Sequence, residues 1–373
     1  MRNSTRLWGR PELFTSYKQD MSLLNTTPKK VSLGVLLVIG VLLPFSFEDD
    51  VVQLLATGCA AAIGAIGLNI VTGYAGQVSL GHGFFMAIGA YTAAAVSGDP
   101  NGRVTGFGIT EVPVWVLAAG LVAAAAGALI APVAVRLRGL YLAIVTLGLV
   151  FIGQWLFREW TTLAGPPDIG RPAPIPTLFG TRIDVDGDFL TRIQKVYFLM
   201  LVLLVIFAVL ARNLVRSRTG RAFAAVRDRD IAAAVIGVNL TRYKVIAFAV
   251  SSFYAGVAGA LLYVIPQSFI PSNFGLTTSI QFIAMILIGG VATISGSIMG
   301  ALFITLLPRI TTELQAVLPF INNDATGKGI TVQLAEQILY GLLIIVFLLF
   351  EPRGLFGIWI RIRNYWKAWP FSY

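Results

Sequence analysis

The chain carries ten long apolar runs, at about residues 31–47, 51–71, 78–97, 113–135, 139–157, 196–214, 245–265, 277–293, 296–315 and 333–350. A helix that crosses the hydrocarbon core of a bilayer needs ~20 apolar residues. Within each run the apolar residues are continuous and do not alternate with a period of two, which excludes a membrane β-barrel. Open sheets are excluded too, because their edge N–H and C=O groups go unpaired in lipid. Only 12% of the residues are charged and 56% are hydrophobic, whereas a soluble domain carries roughly 25% charged residues. The chain therefore reads as an all-α integral membrane protein with about ten transmembrane helices. Short Gly-rich links divide the pairs 51–97 and 277–315, and either pair can hold a broken or re-entrant helix.

The net charge of +10 does not point to nucleic acid, because the basic residues lie between the apolar runs. That is the distribution of topology signals. With the N-terminus in the cytoplasm and the runs alternating, most of the 28 basic residues fall inside. They gather in the segment 1–30, at Arg136 and Arg138, in the loop 211–244 and beyond Arg353. The outer loops collect Glu48, Asp49, Asp50, Asp184, Asp186 and Asp188. The expected layout is N-in/C-in: a cytoplasmic segment 1–30, a transmembrane domain 31–357 and a cytoplasmic tail 358–373. Trp115, Trp155, Trp160, Trp359 and Trp366 sit at run ends, where an amphipathic ring suits the headgroup level. The bulky run from Val196 lacks glycine and is expected to face lipid. The Gly- and Ala-rich second, third, fourth, seventh and ninth runs, the last with Gly296 and Gly300, are expected at the packed centre.

The first 30 residues hold no apolar core of signal-peptide length, so no cleaved signal is expected. A single cysteine, Cys59, excludes an internal disulfide and a cysteine-built metal site. No metal-type cluster and no cofactor are expected. The lone histidine, His82, lies between Gly81 and Gly83 and reads as a packing or hydrogen-bonding group.

Two stretches stand out chemically. The first runs from Asn69 to Tyr91 and sets Asn69, Thr72, Gln77, Ser79 and His82 among five glycines. Polar groups at membrane depth must pair or face a cavity. Glycines at this density permit a broken helix whose backbone lines a path. The alternative is a plain turn whose polar residues tie helices together. Candidates for a thin polar lining of a solute path are Asn69, Gln77, Ser79, Tyr141 and Thr146. The second stretch is the long basic loop 211–244. It reads as two short helices: Thr219-Gly220 opens the first, Asp230 caps the second, Gly237 stops it and Thr241 caps the next span. Phe223, Val226, Ile231, Val235 and Ile236 give an apolar face, fit either for a groove on a soluble partner or for the bilayer surface.

The pattern GLNIVTGYAGQVSLGHGFFMAIGAY, then RGLYLAIVTLGL at Arg138, then RAFAAVRDRDIAAAVIGVNLTRYKVIAF, then GGVATISGSIMGALFITLLP at Gly289, then LYGLLIIVFLLFEPRGLFG at Leu339 resembles the M-type permeases of branched-chain amino acid ABC importers, from about residue 50 to 357. The resemblance implies a multi-pass subunit of the bacterial inner membrane, with a sister permease, two cytoplasmic ATPases and an extracytoplasmic solute-binding protein as partners. It places the ATPase-docking segment on Arg221 to Asn239, with Arg221, Arg227, Asp228, Arg229, Asp230, Gly237 and Asn239 as coupling residues. The outer loop Gly165-Pro-Pro-Asp-Ile-Gly170 departs from the Gly/Ser/Asn-rich stretch common in that family.

The chain has no G-x-x-x-x-G-K-[ST] loop for phosphate, so energy must come from a partner. Few ionisable residues fall inside the runs, Glu313 and Glu336 lying near their outer ends. A proton-coupled carrier buries carboxylates or histidines at mid-membrane. The reading is thus a passive permease subunit, itself no enzyme, for hydrophobic amino acids. Alternatives are a permease for urea, short amides or another small polar solute, or a stand-alone secondary transporter.

Overall fold

The computed structural model describes residues 27–137, 139–166, 169–187, 189–315, 321–322 and 330–368. Arg138, Asp188 and most of the segment 1–30 lie outside the described residues. The helices are α1 (Thr27–Ser46), α2 (Asp49–Asn69), α3 (His82–Ser97), α4 (Val112–Arg136), α5 (Leu140–Glu159), α6 (Thr161–Ala164), α7 (Arg192–Arg216), α8 (Arg218–Asp228), α9 (Asp230–Val235), α10 (Leu240–Leu262), α11 (Leu276–Gly289), α12 (Ile294–Gln315), α13 (Val332–Phe350) and α14 (Gly354–Ala368). Each of the ten apolar runs thus holds one helix. Of these, α2 with the turn that follows it, α4, α5, α7 and α10 are long and apolar enough to cross a membrane. The end of α13 and most of α14 form a pair bent by 43° that passes the same test together. The apolar parts of α1, α11 and α12 are shorter.

Small residues decide the packing. The spine is α10, which crosses α3 and α4 where backbones nearly touch. A methyl group added at Gly256 would lie 2.6 Å from the Ala119 carbonyl of α4. Gly89 of α3 rests on the backbone of Gly256, and Gly259 rests on that of Met86. Between membrane helices no hydrophobic effect drives association, so close backbone approach supplies the contact. Gly296 and Gly300 of α12 meet Gly289 of α11 in the same way. The Gly- and Ala-rich runs therefore form the centre. In α7 one stripe, Val196, Met200, Leu204, Phe207 and Ala211, is buried, while Val202, Ile206, Val209 and Leu210 are exposed, as expected of a lipid-facing helix.

The loops gather at two ends. At one end Arg192 donates to the Ile265 carbonyl (2.9 Å), Gln194 to that of Pro44 (3.0 Å) and the Ile109 amide to Val96 (2.8 Å). The two-residue strands β1 (Arg171–Pro172) and β2 (Ser268–Phe269) pair antiparallel there, with Arg171 opposite Phe269. At the other end the turn after α2, the loop 217–239, the α11–α12 link and the start of α14 meet.

Candidate functional site

The span that begins with α2 does not return as a full helix. A π-helical turn, Ile70–Tyr74, follows α2, and the chain leaves helical geometry at Gly76, whose φ is +69°. Residues 75–81 form an irregular ribbon that belongs to neither helix nor strand; Ala75, Gln77 and Ser79 are buried, while Gly76 and Val78 are exposed, Val78 by 44%. With only 16 residues, α3 rises about 24 Å, short of the ~30 Å core of a bilayer. The 14 residues of α11 rise about 21 Å and follow a 3-10 turn, Pro271–Phe274. The first turns of these two short helices meet, the Gly83 amide donating to the Ser279 hydroxyl at 3.0 Å. Neither helix has a side-chain cap. Sequence reading extended the third span back to residue 78; the helix starts at His82, because the backbone turns left-handed at Gly76 and the Leu80 amide bonds to Thr146 of α5 rather than within a helix.

Asn69 is buried beside this ribbon. Its amide nitrogen donates to the Ser297 hydroxyl (2.7 Å) and the carbonyls of Thr293 (3.0 Å) and Gly290 (3.4 Å), and its oxygen accepts from the Ala292 amide (2.8 Å). Thr146 of α5 accepts from the Leu80 amide at 2.9 Å and donates to the Ala143 carbonyl. Ser79 accepts from the Gly81 amide at 3.4 Å. Asn69 and Thr146 bind distant chain segments to one another, whereas the Ser79 bond is local. Gln77 is buried with neither amide atom partnered among the described residues. Tyr141 is 73% exposed, on the face of α5 that also shows Ile144, Phe151 and Trp155. His82 packs its ring 4.9 Å from that of Phe282, and its Nε2 has no partner among the described residues.

The loop 217–239 folds as the two short helices expected, with different caps. Ser217, not Thr219, caps α8 by accepting from the Thr219 amide at 3.1 Å. Asp230 is the first residue of α9 and accepts from its neighbour Ile231 at 2.8 Å, so it is not the residue before the helix. Asn239, not Thr241, caps α10 through the Arg242 amide at 3.0 Å. At Ser217 and Asn239 the cap is the residue with extended backbone just ahead of the helix, where a side-chain oxygen reaches the free amides; ahead of α9 that place is taken by Arg229, which makes no cap bond. Gly237 takes the left-handed stop, at φ +89°. The apolar face divides in two. Phe223 and Val226 are buried, with the Phe223 ring against Tyr243 of α10. Ile231, Val235 and Ile236 are exposed, Val235 by 83%. Arg221 donates to the Arg216 carbonyl at 3.3 Å and Arg229 is exposed. Arg227 pairs with Asp228 at 3.0 Å and turns inward to the Gly73 carbonyl, also at 3.0 Å.

Sequence reading overlooked Arg171, which looks like one more loop charge. It is 1% exposed and donates to the carbonyls of Ala94 (2.9 Å), Leu163 and Thr105. Ala94 and Leu163 lie in the last turns of α3 and α6, where the helix end is negative; the Ala94 carbonyl also accepts from the Gly98 amide at 2.9 Å. Burial lowers the guanidinium pKa to about 10, so it stays charged at neutral pH.

The bundle thus sets an irregular stretch between two apolar helices beside a helical loop that presents apolar surface, an arrangement consistent with a transport permease. Residues 51–348 match the family model described as the branched-chain amino acid transport system permease component, and the chain belongs to that family. It is 32% identical over 349 residues to the high-affinity branched-chain amino acid transport system permease protein LivM of Salmonella typhimurium, covering 89% of this chain and 76% of the relative. Identity and coverage are the same with LivM of Escherichia coli. BraD of Pseudomonas aeruginosa, which bears the same description, is 27% identical over 84% of this chain and 96% of its own length. No solved structure matches the chain.

Proposed function

We propose that the chain is the membrane-spanning permease subunit of an ATP-driven importer that passes branched-chain, hydrophobic amino acids across the bacterial inner membrane. The observation that carries this reading is the non-helical ribbon of residues 75–81. Neither the N–H nor the C=O of Val78 bonds to any described residue. Non-helical backbone at membrane depth is tolerated only where protein covers it or where it lines a water-filled cavity. The ribbon and the adjoining face of α5 therefore form one wall of the path, and a sister permease supplies the other. Tyr141, exposed on α5, offers a dipole to a zwitterion without the cost of a buried charge, and the unpartnered Gln77 amide does so when the ribbon turns it outward, while Asn69, Ser79 and Thr146 hold the wall.

The ten spans run N-in/C-in, a layout supported by the grouping of loops at two ends. The exposed Ile231, Val235 and Ile236 dock one of two cytoplasmic ATPases, flanked by Arg221, Asp228, Arg229, Asp230, Gly237 and Asn239. An extracytoplasmic binding protein delivers solute to the opposite end. The test is uptake by the whole complex in liposomes with ATP at the ATPase side. Labelled leucine, isoleucine and valine are expected to accumulate only with binding protein present. Uptake of urea in their place, or uptake without ATP, rejects the assignment.

A further inference from the structure

We propose that Arg227 is a positioning residue that joins the ATPase-docking loop to the path wall, and that it does not contact the ATPase itself. This rests on the importer reading above. Arg227 lies in the last turn of α8. Its Nη1 donates to the Gly73 carbonyl at 3.0 Å while its Nε holds Asp228 at 3.0 Å. Gly73 sits in the turn where the chain quits α2, so its carbonyl has no helical successor to bond. A cation at a helix C-terminal end also meets the negative pole of the helix.

Sterics close the joint from the other side. At Gly76 the left-handed backbone comes against Arg227 so closely that an added methyl would lie 2.6 Å from its Cγ and 3.1 Å from its Cα. Gly73 is in turn wedged against the Asn69 side chain and the Ala292 backbone. Four residues beyond Gly76, the Leu80 amide is tied to Thr146 of α5. Only residues 77–79 lie between these two attachments. Displacement of α8 therefore carries Gly73, the ribbon and α5 together, and α8 is itself anchored by the buried Phe223.

Arg227→Gln and Gly76→Ala break the same joint from opposite sides, and Arg227→Lys keeps the charge without the two-pronged fork. Each variant is purified as the full complex with ATPases and sister permease. Both ATPases are expected to remain bound and basal hydrolysis to persist in all three. Stimulation of hydrolysis by loaded binding protein, and uptake, are expected to fall about tenfold in Arg227→Gln and Gly76→Ala, a size typical of coupling between sites. Arg227→Lys is expected to recover part of both. Loss of ATPase from Arg227→Gln makes Arg227 a docking contact and overturns the proposal. Unchanged uptake in Arg227→Gln, or a defect there that Gly76→Ala does not share, also overturns it. If the unsubstituted complex shows no stimulation by binding protein, the importer reading fails instead.

Discussion

Asn69 and Ser297 stand 228 residues apart in the chain and 2.7 Å apart in the fold, the amide of one donating to the hydroxyl of the other. The bond fastens the end of α2 to the first turn of α12. With its three companions it binds the two breaks in the bundle, after α2 and between α11 and α12, into a single knot. Every hydrogen-bonding position of the Asn69 amide that the knot uses meets backbone or hydroxyl, none of it water-facing charge.

Asn69→Leu removes four hydrogen bonds at similar volume. Side-chain hydrogen bonds between membrane helices average ~0.6 kcal/mol, so the loss comes to about 2 kcal/mol. A lower thermal midpoint of the detergent-purified protein is expected. An unchanged midpoint shows that the knot does not hold the breaks together.

The divided apolar face of the loop gives opposite phenotypes. Phe223→Ala deletes a buried ring and is expected to cost about 3–5 kcal/mol, seen as poor thermal stability. Val235→Asp changes only an exposed side chain. It is expected to melt like the unsubstituted protein and yet release the ATPase in co-purification. Retained ATPase in Val235→Asp moves the docking surface elsewhere.

Gln77→Leu replaces a buried amide that lacks a partner among the described residues. Leaving such a group unpaired costs roughly 1–3 kcal/mol, so the variant is expected to be more stable, not less. Its uptake is expected to drop with ATPase binding intact. Tyr141→Phe, on the open face, tests the same wall through its hydroxyl. Normal uptake in both variants rules out this stretch as path lining.

Arg171→Lys keeps the charge, but one ammonium on a flexible stem does not match a planar fork bonded to three carbonyls. Hydrogen bonds to charged groups contribute ~1.5–3 kcal/mol each. A loss of about 3 kcal/mol is expected, with the binding-protein end of the bundle showing faster amide exchange. Equal exchange in the two proteins rules out this clamp.

The helices were legible because a continuous apolar run has one stable form in lipid. The break before His82 was not legible at its true position. Val78 and Leu80 are as apolar as the residues of α3, and what keeps them out of a helix is Thr146, a partner on another span. Polar residues such as Asn69 and Thr146 announced themselves by being costly, but whether they face a solute or each other depends on contacts over 66 to 224 residues or more. The caps at Ser217 and Asn239 were missed by two residues each because several cap-competent side chains stand side by side. Arg171 gave no signal at all, since its acceptors are carbonyls, which every residue has.

The ribbon of residues 75–81 also differs from a helix in reach. A helix advances ~1.5 Å per residue, whereas chain outside a helix can span up to ~3.3–3.6 Å per residue. Seven such residues can reach up to about 25 Å, the rise of about sixteen helical residues, which lets the chain pass from the turn after α2 to the start of α3 without a second full helix.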